Sequence, residues 1–233
     1  MTPRVYVPGP LREGLSIELA GAAGHHARVL RLRAGEAVTL FDGLGGEWSS
    51  RLGSKGKVQV LEKRDVERES PLAITLVQGV SSGERMDYTV QKAVELGVAA
   101  IQPLITKKGV VRLEGSRASA RVEHWRKVVI AACEQCGRNR IPEVLPLLAF
   151  HEYKPKADEA QLLLSAQGRS IRQFELEKSA TVAAGPEAGF AQEEQAALER
   201  AGFVKASLGP RILRTETAAL AALAALSALR GDF

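Results

Sequence analysis

Cysteine is scarce in this chain, with two residues among 233. That excludes a disulfide framework and points to a reducing, cytoplasmic compartment. No N-terminal stretch combines a basic start, an apolar run and a cleavage site, so secretion is not expected. The longest apolar run, Ala218 to Leu229 with one Ser, falls short of the roughly 20 residues that span a bilayer. A soluble protein with no membrane partner is therefore expected. Internal repeats and low-complexity tails are lacking as well. Apolar and charged fractions of 45% and 25% are ordinary for a globular chain, and this length can bury a substantial core in one or two domains.

Two familiar motifs are present only in part. Cys133-Glu134-Gln135-Cys136 has redox spacing, but it closes a helix just before Gly137, the end whose dipole disfavours a thiolate. Zinc would require two further ligands, and His25, His26, His124 and His151 supply no paired motif nearby. No metal is expected. Gly43-Leu44-Gly45-Gly46 and Gly53-Ser54-Lys55-Gly56 lie between short strands and open no helix. They read as hairpin turns, not as a phosphate-binding or dinucleotide fingerprint.

What the chain does have is localised positive charge. Residues 107–140 carry nine Lys or Arg against three Glu, while the net charge of the whole chain is +5. Such a concentration draws a phosphate backbone and points to nucleic acid, the alternative being a solvated basic face. His25-His26 precedes Ala27-Arg28-Val29-Leu30-Arg31-Leu32-Arg33, which reads as a helix-plus-strand surface. Arg28, Arg31 and Arg33 there would meet phosphates or stacked bases.

The pattern changes along the chain. Residues 1–70 hold β-like runs at Val5–Val7, Ser16–Leu19, Ala37–Phe41 and Lys57–Leu61, separated by turn signals, which predicts a small antiparallel barrel. A charged stretch, Glu62 to Glu69, reads as a linker or domain edge. From residue 71 to 233 strands alternate with helices. Strands are predicted at Leu72–Val80, Ala100–Ile105, Gln161–Leu164, Ala180–Ala184 and Val204–Ser207. Helices are predicted at Met86–Leu96, Arg121–Cys136, Glu193–Ala201 and Thr215–Arg230. This predicts an α/β domain with a mainly parallel sheet.

Two loops leave such strands: Ala184-Gly185-Pro186-Glu187-Ala188-Gly189 and Leu208-Gly209-Pro210-Arg211-Ile212-Leu213-Arg214. Open α/β sheets bind ligands outside the carboxyl ends of their strands, and small residues allow close backbone approach. Arg211, Arg214 and Glu216 stand before an Ala/Leu helix. They read either as helix capping or as a site for a charged ligand.

These residues carry a resemblance. Gly185-Pro-Glu-Ala-Gly189, Leu208-Gly-Pro-Arg-Ile-Leu-Arg-Thr-Glu-Thr217, Gln91-Lys-Ala-Val-Glu-Leu-Gly97, Glu134-Gln-Cys-Gly-Arg138 and His25…Val29-Leu-Arg31 together resemble the RsmE family over essentially the whole chain. The resemblance implies a PUA-like N-terminal β-barrel and a SPOUT-class methyltransferase domain with a C-terminal trefoil knot. It also implies a homodimer that uses S-adenosylmethionine to methylate N3 of a specific uridine in 16S ribosomal RNA of the small subunit. Carried over by position, the cofactor pocket would use Leu164, Ala184, Gly185, Glu187, Gly189, Leu208, Gly209, Ile212 and Leu213. The family loop usually reads Gly-Pro-Glu-Gly-Gly, so Ala188 is a departure that would be strained at positive φ. Arg211 or Arg214 would offset charge on the uracil oxygens or grip a phosphate, and Glu187 or Glu216 would accept the imide proton. The RNA-facing set would be Arg4, His25, Arg28, Arg31, Arg33, Arg112, Arg138 and Arg140.

Overall fold

Alternating apolar residues build the first sheet. Val38 and Leu40, Trp48 and Leu52, and Val58 and Val60 point to one shared core, as the two-residue period of a half-buried strand requires. They lie on β3 (Ala37–Phe41), β4 (Glu47–Leu52) and β5 (Lys57–Arg64). With β1 (Arg4–Tyr6) and β2 (Ser16–Glu18) the order is β1-β3-β4-β5-β2. The strand β1 runs parallel to β3, so the sheet is mixed where the sequence predicted an antiparallel one. The computed structural model describes residues 2–156 and 160–233. They form two units, one of residues up to Glu69 with Ile130–Ile141, the other of Ser70–Val129 with Pro142–Phe233.

A cut at residue 70 misses the segment 130–141, and the reason is electrostatic. Arg4, more than nine-tenths buried, donates to Glu47 (2.7 Å), to Asn139 Oδ1 (2.6 Å) and to the Arg138 carbonyl (3.2 Å). Arg68 joins Glu47 at 3.1 Å. Arg138 pairs with Glu69, and Arg140 with Glu67 at 2.7 Å. The stretch Glu62–Glu69 is the edge of the first unit and not a free linker: it begins as strand and continues as a strap of ion pairs. These partners lie far apart in sequence, so no local pattern announces them.

Helix α1 (Gly21–Val29) packs on β1. It ends with Leu32 N–H bonded to the Ala27 carbonyl (3.1 Å) and Arg31 N–H to that of Arg28 (3.0 Å), with Arg31 at φ 54. This is a Schellman stop whose left-handed position holds Arg in place of the usual Gly. The residues after the helix form a turn, not the strand expected from the alternating Arg.

Continuous apolar runs give the second sheet, since strands covered on both faces lose the polar alternation. Its seven strands are β6 (Ala73–Gly79), β7 (Ala100–Ile105), β8 (Glu143–Val144), β9 (Leu148–Ala149), β10 (Ala160–Ser170), β11 (Ser179–Ala184) and β12 (Val204–Ser207). The order is β12-β10-β11-β6-β7-β8, with β9 also on β7, and every pair is parallel. Helices α2 (Gly83–Glu95), α3 (Gly115–Cys136), α4 (Gln192–Arg200) and α5 (Thr215–Arg230) connect or flank these strands. In α5, Ala219, Ala222, Leu223 and Leu226 are buried, and the helix packs on α2, β6 and β11. Leu229 stays 41% exposed, so this helix, apolar nearly all round, covers only one face within the chain. Among the described residues no helix is long and apolar enough to cross a membrane.

Candidate functional site

Parallel register brings the predicted loops to one edge. Leu163 is level with Ala183, Leu164 with Ala206, and Ala184 with Gln78. The carboxyl ends of β10, β11, β12 and β6 therefore lie together, at the place where ligands bind such sheets. A cavity of about 140 Å³ opens there. Leu164 and Ala206 form its floor, Leu208, Gly209, Ile212 and Leu213 its wall, and Arg211 part of its rim. Of the nine residues expected to hold the cofactor, five line this cavity: Leu164, Leu208, Gly209, Ile212 and Leu213. Ala184, Gly185, Glu187 and Gly189 occupy the neighbouring loop.

That loop is tied to the start of α5. Gln78, fully buried at the end of β6, donates Nε2–H to Thr215 Oγ1 (3.0 Å), to the Gly79 carbonyl (2.9 Å) and to the Gly185 carbonyl (3.4 Å). Thr215 donates its hydroxyl to the same Gly185 carbonyl at 2.5 Å. A Cβ on Gly79 would stand 2.5 Å from Pro186 Cδ, so only glycine lets β6 approach this closely. Sequence reading missed Gln78 and the role of Thr215. The available signal was a lone amide in the apolar run Leu72–Val80, because a buried polar side chain demands partners.

The loop itself is a turn closed by Gly189 N–H to the Pro186 carbonyl at 2.8 Å. Positive φ falls on Gly189 (68°), and among the described residues only Arg31 and Lys55 carry it without being glycine. Ala188 is therefore unstrained.

The four candidate catalytic residues fall into three situations. Arg211 and Arg214 are exposed and make no ion pair or hydrogen bond through their side chains among the described residues. The Arg214 carbonyl caps α5 by accepting Ala218 N–H (2.8 Å). Glu187 Oε1 accepts from Ser82 N–H (2.9 Å), Ser82 Oγ–H (2.8 Å) and Arg85 (3.3 Å), at the start of α2. Burial pushes its carboxyl up, but these donors outweigh burial and hold it below the usual carboxylate range. Glu216 sits in the first turn of α5, where the helix dipole favours an acid, and its Oε2 is buried with no partner among the described residues.

The basic residues divide as sharply. His25, Arg28, Arg31 and Arg33 are exposed on and just after α1. Arg4 and Arg138 are corrections to the RNA-facing set, since both are buried and spend their charge on Glu47 and Glu69. Arg112 is exposed, yet its guanidinium folds onto the Gly109 carbonyl at 2.6 Å and the neighbouring loop. Arg140 remains half exposed beside Glu67. The basic stretch 107–140 is in good part neutralised, for Lys107, Arg126, Arg138 and Arg140 each pair with a Glu. The exposed cations of α1 are the freer ones. Cys133 is buried, and burial pushes its thiol up to about 12, the opposite of a redox-active thiolate.

Comparison with known proteins places this architecture. The RNA methyltransferase domain family matches residues 68–227, and the RNA methyltransferase PUA domain family matches residues 19–63. The two matches are to the methyltransferase and PUA domains of RNA methyltransferases. A ribosomal RNA small subunit methyltransferase E from Buchnera aphidicola is 31% identical over 99% of this chain and 95% of its own, and one from Bacillus subtilis is 30% identical over 95% of each. The crystal structure of a Neisseria gonorrhoeae ribosomal RNA small subunit methyltransferase E bound to S-adenosyl methionine is 42% identical, covers all of both chains and superposes with a TM-score of 0.95. The chain belongs to the ribosomal RNA small subunit methyltransferase E family.

Proposed function

We propose that this protein transfers the methyl group of S-adenosylmethionine to N3 of one specific uridine of 16S ribosomal RNA, in the cytoplasm and as a homodimer. The observation that carries the reading is the cavity at the carboxyl edge, where Leu164, Leu208, Ile212 and Leu213 present apolar walls and Arg211 stands at the rim. Apolar walls with a few convergent polar groups fit an adenosyl group, and the glycines at 185, 189 and 209 leave backbone within reach of its polar edge. When bound, the cofactor supplies an already activated methyl group on a sulfonium.

The protein's share is alignment and charge. Arg211 and Arg214, exposed on one turn beside the cavity, would offset negative charge developing on the uracil oxygens or hold a phosphate. Of the two acids, Glu187 is engaged by three donors, whereas Glu216 Oε2 has no partner among the described residues. Glu216 is thus the better acceptor for the imide proton. His25, Arg28, Arg31 and Arg33 would meet the RNA backbone. Ile212 is 92% exposed, and Leu229 and Phe233 are also uncovered, which supports burial against a second copy. A trefoil knot of the C-terminal chain belongs to the same reading, supported by the meeting of Thr215 with the Gly185 loop.

Mass mapping of 16S RNA from cells with and without this protein tests the reading. Loss of one N3-methyluridine on deletion is expected. Unchanged RNA, or a missing ribose methyl group instead, would overturn it. Sedimentation at micromolar concentration tests the dimer, and a stable monomer would refute it.

A further inference from the structure

Beside α1, within the first unit, lies a second hollow of about 360 Å³ that the methyl-transfer site does not use. Its walls are mainly apolar, with Pro3, Leu30 and Ala131 among them, and its polar groups are Arg4, His26, Glu134 and Gln135. Each polar group has a defined state. Glu134 is more than nine-tenths buried at its side chain, accepts Tyr6 N–H at 3.0 Å through Oε1, and has Oε2 3.5 Å from His26 Nδ1. Arg4 uses its two terminal nitrogens inside the unit, but its buried Nε–H has no partner among the described residues. Gln135 is exposed near the end of α3, and its side chain makes no hydrogen bond among the described residues.

We propose that this hollow receives an unstacked nucleobase of the RNA substrate, at a nucleotide other than the one methylated. The proposal rests on the RNA-methylating function above. A nucleobase is a flat, largely apolar body with donors and acceptors on its edge, and single-stranded RNA is recognised by splaying such bases into pockets. Here the apolar walls take the faces of the ring. The Gln135 amide offers a donor and an acceptor, and Glu134 an acceptor for a ring or exocyclic N–H. Burial raises the Glu134 carboxyl above its ordinary range despite the Tyr6 bond and the His26 and Arg4 charges. Charge complementarity selects RNA as the occupant, because the helix that supplies His26 and is capped by Leu30 exposes Arg28, with Arg31 just after it. Arg28 and Arg31 hold phosphates and fix register, while the hollow reads a base.

The test uses the full chain and a single-stranded RNA centred on the methylated uridine, with an abasic substitution walked along it. Gln135→Ala removes the exposed amide, and Ala131→Trp fills the hollow from an exposed helical position. Each is expected to weaken RNA binding about tenfold, the effect of one good base contact. The slope against salt and the affinity for S-adenosylmethionine should stay as they are. In wild type one abasic site away from the target uridine costs a similar factor, and in Gln135→Ala that same site costs little more. Wild-type methylation with both variants binding RNA as wild type, or with no coupled abasic site, overturns this hollow while leaving the proposed function standing. A wild-type protein that neither binds nor methylates this RNA, alone or within the small ribosomal subunit, overturns both.

Discussion

Gln78 Nε2 donates to Thr215 Oγ1 at 3.0 Å across 137 residues of sequence, and both side chains hold the Gly185 carbonyl. One amide thus ties the end of β6, the loop after β11 and the first turn of α5 into a single frame around the proposed cofactor site. Positions held this way by buried hydrogen bonds set how closely the loops keep a productive geometry.

Thr215→Val keeps the shape and removes both hydrogen bonds of the hydroxyl. A stability loss of about 1–3 kcal/mol is expected from the stranded Gly185 carbonyl and Gln78 amide. Titration calorimetry should show S-adenosylmethionine binding weakened roughly tenfold, with RNA binding intact. Unchanged cofactor affinity would reduce the tie to a purely structural one.

Arg211→Ala and Arg214→Ala should leave stability within about 0.5 kcal/mol, because neither side chain has a partner among the described residues. The arginine that faces the uracil should lower kcat by about a hundredfold or more, the usual effect of losing one donor to developing charge. The arginine that grips a phosphate should instead weaken RNA binding and flatten its salt dependence. Single-turnover rates and salt titrations separate the two. If neither quantity moves in either variant, the pair has no part in catalysis.

Two carboxylates in the first unit should respond oppositely to pH. Burial pushes Glu47 up, but the hydrogen bonds and charges of Arg4 and Arg68 prevail and hold it below the usual range. Its stabilisation is present above the unfolded carboxylate range and is lost as pH falls through the folded value. At neutral pH Glu47→Gln should cost about 3–5 kcal/mol, as breaking a buried pair does. Glu134 is raised instead, so the fold favours its protonated form and the penalty is full above the folded value. Glu134→Gln should therefore match or exceed wild-type Tm at neutral pH, with the advantage vanishing below the ordinary carboxylate range. A Glu134→Gln protein that melts well below wild type at neutral pH would show that the His26 pair prevails.

Arg31 holds a left-handed conformation that costs an L-residue about 1–2 kcal/mol. Arg31→Gly relieves that strain while adding freedom to the unfolded chain, so Tm should hold steady or rise. RNA affinity should fall with a shallower salt slope, since one exposed cation is gone. A variant that loses stability but not RNA affinity would make Arg31 a structural residue only.

Much of this was legible in the sequence because its signals are local. The apolar runs at β6, β7, β11 and β12, the helical spacing of α2 and α5, and the two loops at one sheet edge follow from period and turn chemistry. The strand β4 was missed because Glu47, Ser49, Ser50 and Arg51 hide its alternation, and the start of α1 because Gly21, Ala22 and Ala23 give it no apolar stripe. What a sequence determines alone is this rhythm, together with the motifs that carry the family resemblance. Tertiary structure decided everything that depends on partners distant in the chain. It turned Arg4 and Arg138 from RNA contacts into buried ion pairs, made a strap of the stretch that reads as a linker, and joined Gln78 to Thr215. A side chain's charge is written in the sequence, but whether that charge is free or already neutralised depends on what folding brings within about 3 Å of it.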